Sequence, residues 1–301
     1  MPLWPDASPQ VPVLCYHTVG GNGVPIELFQ AQMTWLAKRG TRTLGCRDLQ
    51  QVVWKGRKIN SPAVMLTFDD GFRDLLTIVA PILRKYGFKA LVFAAPNLLR
   101  AEGEEGTAGE IDSNRAFEAF MENGDRSAWL SARELRALAG EGLIEVGSHS
   151  LSHAKAPVSA EHDVTDLRHW SYHPFRAFGR APDLRPELAG PVHLASLGRL
   201  EQENEFKARV EENLRKSREI LSEVSGHTVS SFAWPWGEEP EEGAELVAKS
   251  GYELGFTLRR GSCRRSDAPH SLPRREVKRR KGLQWFKREV DTPWWRGLAG
   301  R

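Results

Sequence analysis

Residues 64–72 read VMLTFDDGF, a mostly apolar run that ends in two adjacent carboxylates, Asp69 and Asp70, and a glycine. Like charges side by side repel, and burying either one is costly unless it is paired or holds a cation. An Asp-Gly turn, with Asp70 bonding its own backbone, is the structural explanation. A chemical one comes from HSLSH, residues 149–153, which sets His149 and His153 four apart. One helical turn puts both rings on one side, where two histidines can grip one metal ion. A carboxylate then completes a two-histidine, one-carboxylate set with positions left open to water. One aspartate can bind the cation while its neighbour stays ionised and takes a proton from water. A third histidine, His17, closes the run VPVLCYH at 11–17.

These groups act together only if the fold gathers them. Strand-like runs at 11–17, 41–45, 63–70, 89–96, 143–150 and 229–237, and later ones at 252–258 and 272–277, alternate with helix-like segments. Ile26, Phe29, Met33 and Leu36 recur near helical spacing before a stop at Gly40. Ser131 and Glu134 read as a capping box, and Gly87 as a helix C-cap. A long charged helix at 201–226 carries Phe206, Val210, Leu214, Ile220 and Leu221. Strand then helix, about seven times over, predicts an α/β fold with a parallel sheet and right-handed crossovers. In such folds the loops after the strands hold the site, so a closed barrel delivers His17, Asp69, Asp70, His149 and His153 to one face. Two segments break the rhythm. Residues 100–128 are rich in Gly and Glu and read as an inserted loop with a short helix. Residues 154–200, with Trp170, Tyr172, Phe175 and Phe178, read as an ordered lid.

The chain has 301 residues, 40% hydrophobic and 27% charged, which predicts an ordinary globular protein. No apolar run is long enough for a membrane span, and the first twelve residues lack both parts of a secretory leader. Cys15, Cys46 and Cys263 lie far apart and argue against a disulfide framework. The expectation is a cytoplasmic or peripherally membrane-associated protein, exported if the sequence is a piece of a longer one. Net charge is +3, yet residues 259–301 hold 14 Lys+Arg against 4 Asp+Glu, leaving 28 against 35 elsewhere. The basic, aromatic tail at 278–301 implies an anionic partner, a membrane surface or an acidic glycan ahead of nucleic acid. Packing of WFKREVDTPWWRG (285–297) on the barrel is the structural alternative.

TFDDG at 67–71, HSLSH at 149–153, FAWPWG at 232–237 and LCYH at 14–17 together resemble the polysaccharide deacetylases with a NodB-type domain, carbohydrate esterase family four. Their order is similar to the branch that de-N-acetylates poly-N-acetylglucosamine. The resemblance covers roughly 11–280 and implies one catalytic domain, a deformed (β/α) barrel of about seven parallel strands. It implies Asp69 as catalytic base and Asp70, His149 and His153 as ligands of one divalent metal, Zn²⁺ first, with Co²⁺, Ni²⁺ and Fe²⁺ also suited. It implies the backbone N–H of Trp236 as oxyanion donor and His17 as general acid. The activity it implies is hydrolytic removal of N-acetyl groups from N-acetylhexosamine units of a polysaccharide or glycoconjugate.

The sequence departs from that family at three places. Ala233 stands where an arginine often orients the base; Arg274 or Arg275 in LPRREV can substitute. Ala154 replaces a proline, and Trp236 a tyrosine, which keeps a backbone donor but no hydroxyl. Trp170, Trp234 and Trp236 can stack on sugar rings, with Trp234 and Trp236 taken as substrate-binding. His162, His169, His173, His193 and His270 read as solvated loop residues. Two other functions fit the same residues: a metal-dependent amidase acting on a non-sugar carbon–nitrogen bond, and a non-catalytic glycan-binding protein, against which an intact Asp69 and metal set argue.

Overall fold

A computed structural model describes residues 10–291. Its central strands are apolar at nearly every position because both faces of the sheet are covered, as parallel sheets require. The strands are β1 (Val13–Tyr16), β2 (Arg42–Thr43), β3 (Ala63–Phe68), β4 (Ala90–Ala94), β5 (Ile144–Ser148), β6 (Ser231–Ala233), β7 (Leu254–Phe256) and β8 (Arg275–Glu276). They pair in parallel in the order β7-β6-β5-β4-β3-β1-β8, with β2 beside β3. The path of seven strands is curled into the expected deformed (β/α) barrel. Only Phe232 and Ser148 pair between β6 and β5, and Phe256 bridges Leu272 just ahead of β8.

Strand parity decides which side chains reach the barrel interior. Val13, Met65, Leu91, Phe93, Ala233 and Phe256 cluster inside. Leu14, Tyr16, Leu66, Phe68, Val92 and Phe232 belong to the larger cluster beneath the helices. Gly147 on β5 has no alternative, because a Cβ there would lie 2.6 Å from the Phe93 ring.

The outer helices are α1 (Ile26–Lys38), α2 (Cys46–Val53), α3 (Ala80–Tyr86), α4 (Ser113–Asn123), α5 (Ala132–Gly140), α6 (Glu203–Ser225), α7 (Gly243–Lys249) and α8 (Leu283–Asp291). Helix α1 buries Phe29, Met33 and Leu36 as their spacing predicts. The Ser131–Glu134 capping box forms at α5, and Gly87 ends α3 in the left-handed conformation. Helix α6 buries Phe206, Val210, Leu214 and Leu221, but Ile220 falls on the outer side and is exposed. The helical segment that Gly87 ends begins as a wide π-turn at Leu75–Val79. Pro81 explains it: proline lacks an N–H and its ring crowds the carbonyl four residues back.

Both insertions are ordered. Residues 100–128 carry α4, capped by Asp112. Residues 154–200 form three small antiparallel ribbons and a 3₁₀ turn at Trp170–Phe175. In the tail, α8 packs on α1: Phe286 is fully buried and meets Trp35 edge-on at 6.0 Å. Arg275 donates to Glu289 and pins the same helix. Packing is therefore the role of 283–291, while Trp294, Trp295 and Arg296 lie outside the described residues. Phe286→Ala is expected to cost about 3–5 kcal/mol, read as a lowered denaturant midpoint with an unchanged slope.

Candidate active site

Parity carries three of the site residues inward. Val13 and Cys15 precede His17 on the inner side of β1, Met65 and Thr67 precede Asp69 on β3, and Gly147 precedes His149 on β5. Asp70 has the wrong parity, and a left-handed backbone (φ 72) followed by left-handed Gly71 turns it back over the barrel mouth. Four non-glycine residues in the described chain have positive φ: Asp70, Ser150, His153 and Trp236. Such conformations are strained outside glycine, and all four belong to this site.

The HSLSH segment is a bend with left-handed Ser150 and His153, not the helical turn expected from its spacing. Ser150 Oγ accepts from the His153 N–H at 3.0 Å, and Asn213 on α6 accepts from the Leu151 N–H at 3.0 Å. The bend still brings the rings together, with centroids 4.9 Å apart. His149 Nε2 lies 3.5 Å and His153 Nε2 3.3 Å from Asp70 Oδ1. His149 Nδ1 donates to the Ala233 carbonyl at 2.8 Å, so its Nε2 presents a lone pair. Burial lowers both imidazoles, His149 to about 4 and His153 to about 3, and so keeps them neutral. Asp70 Oδ1 is buried without a hydrogen-bond partner in the protein. The His149 lone pair and a buried, unpartnered carboxylate oxygen facing one another repel unless a cation lies among them. The residues present therefore fit a divalent metal, held by Asp70, His149 and His153.

Asp69 is 2% exposed and has a different partner. Arg274 Nη1 donates to Oδ1 at 2.6 Å and Nη2 to Oδ2 at 2.7 Å. Burial alone would raise the Asp69 carboxyl, but the Arg274 guanidinium outweighs it and holds the carboxyl well below the usual range. Arg274 thus stands in for the arginine absent at Ala233. Arg275 faces the opposite side, toward Gly261, Ser262 and Glu289. Cys15, unmarked by any sequence motif, lies with its thiol 3.4 Å from Asp69 Oδ2. Its position two residues before His17, with the same parity, is the signal that finds it. His17 is half-buried just beyond β1; a ring nitrogen, the Cys15 thiol and an Asp69 oxygen lie within 4.8 Å of one another.

The insertions supply an aromatic wall on the other side. Phe117 stacks on His153 (centroids 5.4 Å) and on Trp170 (4.4 Å). Trp236 lies 4.9 Å from His153 and 5.7 Å from Trp170, and the Lys155 ammonium sits 4.4 Å above its ring. Trp170 is buried in this stack, leaving half-buried Trp236 as the ring nearest the opening. Trp234 is a correction: its parity points it outward, it is fully buried edge-on to Phe232 at 5.0 Å, and it offers no face to a sugar. His169 stays exposed, as expected of a loop histidine, while its ring lies 5.7 Å from Trp236.

Removing Arg274 would leave the Asp69 carboxylate buried and unpaired. Arg274→Met is expected to lose about 3–5 kcal/mol of stability in denaturant titrations, and the double variant Arg274→Met/Asp69→Asn should recover most of it.

Comparison with known proteins agrees with this geometry. The sequence is 25% identical over 272 residues to the poly-β-1,6-N-acetyl-D-glucosamine N-deacetylase of Escherichia coli (strain K12), covering 89% of this chain and 36% of that protein. The chain thus spans little more than a third of that relative's length. The fold matches a de-N-acetylase from Aggregatibacter actinomycetemcomitans (TM-score 0.71, 18% identity, 93% of this chain and 100% of that one). It also matches the BpsB deacetylase domain from Bordetella bronchiseptica (TM-score 0.67, 21% identity, 91% and 97%). The polysaccharide deacetylase family pattern runs through residues 56–255, more than half of the 301, and takes in both the Asp-Asp turn and the histidine bend; this chain belongs to the polysaccharide deacetylase family.

Proposed function

We propose that this protein is a metal-dependent hydrolase that removes N-acetyl groups from N-acetylhexosamine units of a polysaccharide or glycoconjugate. The observation that carries the reading is the placement of an arginine-clamped carboxylate, Asp69, beside the clustered Asp70 carboxylate and the neutral imidazoles of His149 and His153. The relative from Escherichia coli is named for poly-β-1,6-N-acetyl-D-glucosamine, and that substrate class supports the choice of an acetylated amino sugar.

A divalent cation at Asp70, His149 and His153, with Zn²⁺ the first choice, supplies Lewis-acid polarisation of the acetamide carbonyl and makes water a stronger acid. The chain's own residues do the rest. Asp69, ionised and held at both oxygens by Arg274, accepts a proton from the attacking water. The backbone N–H of Trp236, set by its left-handed turn beside His153, donates to the oxygen on which negative charge develops. His17, beside Asp69, gives a proton to the departing amine. The carbon–nitrogen bond breaks, and acetate and a free amino sugar leave. Phe117, Trp170 and Trp236 exclude water from one side of His153.

Base and ligand are separable. Asp69→Asn is expected to keep its metal in elemental analysis and to lose about 10²–10⁴ in rate of acetate release. His153→Ala should lose both metal and activity. Equal metal in His153→Ala and the unmodified protein would sink the ligand assignment, and a mostly active Asp69→Asn would sink the base.

His17 is tested by its leaving group. An amine must be protonated to depart, whereas the phenolate of an activated acetate ester hardly needs it. His17→Asn should therefore lose amide hydrolysis by about 10²-fold or more while retaining most ester hydrolysis and all of its metal. Equal loss on both substrates would make the residue structural.

A further inference from the structure

Beyond Glu276 the chain turns through Lys278, Arg279, Arg280 and Lys281 before α8 begins. The turn rises on the catalytic side of the barrel: Cys15 is in register with Glu276, and the Val277 N–H donates to the Cys15 carbonyl at 2.8 Å. It is also continuous with the site. His17, Asn22, Ser113, Glu276, Lys278 and Arg279 line one cavity of about 180 Å³.

Four consecutive cations repel one another and contribute no packing here, since all four side chains are exposed. Their position is nevertheless fixed. The Lys281 N–H donates to the Lys278 carbonyl at 2.9 Å, and Arg279 donates to the Gly21 carbonyl. Lys278 pairs with Glu276 at 2.8 Å, and Glu110 nearby accepts from the Gly21 N–H. Arg280 and Lys281 meet no acidic partner among the described residues. The rim beside His17 thus carries two engaged cations, Lys278 and Arg279, and the held turn continues outside that cavity through Arg280 and Lys281, the uncommitted pair. A dianion suits it best, because guanidinium and ammonium donors converge on phosphate oxygens with charge-assisted hydrogen bonds.

We propose that Lys278–Lys281 is a specificity element that reads a phosphate group carried by the substrate glycan, on the leaving-amine side of the reacting sugar. The placement rests on the deacetylase reading, with His17 as the acid. The substrate is accordingly an anionic, phosphate-bearing glycan rather than a neutral one.

The test uses the full chain and the double variant Arg280→Gln/Lys281→Gln, whose residues have no part in the catalytic machinery. Two soluble oligosaccharides of N-acetylglucosamine serve as substrates, alike except for a phosphate monoester on the sugar next to the reacting one. The unmodified protein should show kcat/KM about tenfold higher for the phosphorylated form, the preference fading as salt is raised. The variant should lose that preference and keep its rate on the neutral form. Equal use of both substrates by the unmodified protein, or an undiminished preference in the variant, overturns the proposal. If neither substrate releases acetate, the deacetylase reading fails by itself. Calorimetric titration with the same pair then decides the proposal: the phosphorylated form should bind about tenfold more tightly to the unmodified protein and not to the variant. Phosphatidylglycerol vesicles supply the last arm. If Arg280 and Lys281 control vesicle binding while the two glycans are treated alike, the turn docks on membranes and the proposal is wrong.

Discussion

Arg274 and Asp69 meet in the upper layer of the barrel through two parallel hydrogen bonds, and neither side chain has appreciable contact with water. Taking such a pair out of water is expensive, and it persists only when geometry is good and the remaining donors are satisfied. Arg274 meets that condition: Nε donates to the Thr257 carbonyl at 3.1 Å and Nη1 also to Thr67 Oγ1 at 3.2 Å, with the guanidinium above the Phe93 ring. Thr67 in turn donates to the Leu14 carbonyl. The pair therefore joins β1, β3, β4 and the segments around β7 and β8, so an accurate barrel closure is a condition for an oriented Asp69 carboxylate. Arg275, one residue on, faces away and anchors α8 through Glu289. Two consecutive arginines thus serve the site and the shell because extended backbone sends successive side chains opposite ways.

The second constraint is strain concentrated at the barrel mouth. Asp70, Ser150, His153 and Trp236 adopt left-handed backbone that L-residues disfavour. Each turn aims a group that regular strand or helix geometry would have aimed elsewhere. The supports are local: Ser150 Oγ on the His153 N–H, Asn213 on Leu151, and Glu187 receiving both Ser152 and Asn213. Burial of Phe72, Phe117, Trp129 and Trp170 beneath the insertions adds apolar contact where the mouth would otherwise be open. This wall lies on the His153 side, while the basic turn lies on the His17 side, so the opening is chemically asymmetric.

Much of this was legible from the residues. Near-continuous apolar runs alternating with segments of helical spacing predict the parallel α/β sheet, since a sheet buried on both faces leaves few polar positions. The Asp-Asp-Gly turn and the histidine pair mark the proposed metal site, because like charges and clustered imidazoles at strand ends need an explanation. The capping box at Ser131 and the left-handed stop at Gly87 follow from local chemistry alone. Local rules mislead at Leu75–Val79, where Pro81 widens the turn, and at HSLSH, where i,i+4 spacing is realised by a bend rather than a helix.

What the sequence by itself determined is thus the set of chemical groups and the strand ends that carry them, because residue type, parity and helical period are local properties of the chain. Tertiary structure alone decided which arginine clamps Asp69, that Cys15 lies against the same carboxylate, that Trp234 is core while Trp236 faces the site, and that Phe117 backs His153. Arg274 is separated from Asp69 by 205 residues, and Phe117 comes from an insertion with no strand parity to follow. Contacts of that kind depend on the closure of the sheet and the path of the loops. They arise from packing many segments at once, and no short stretch of sequence contains them.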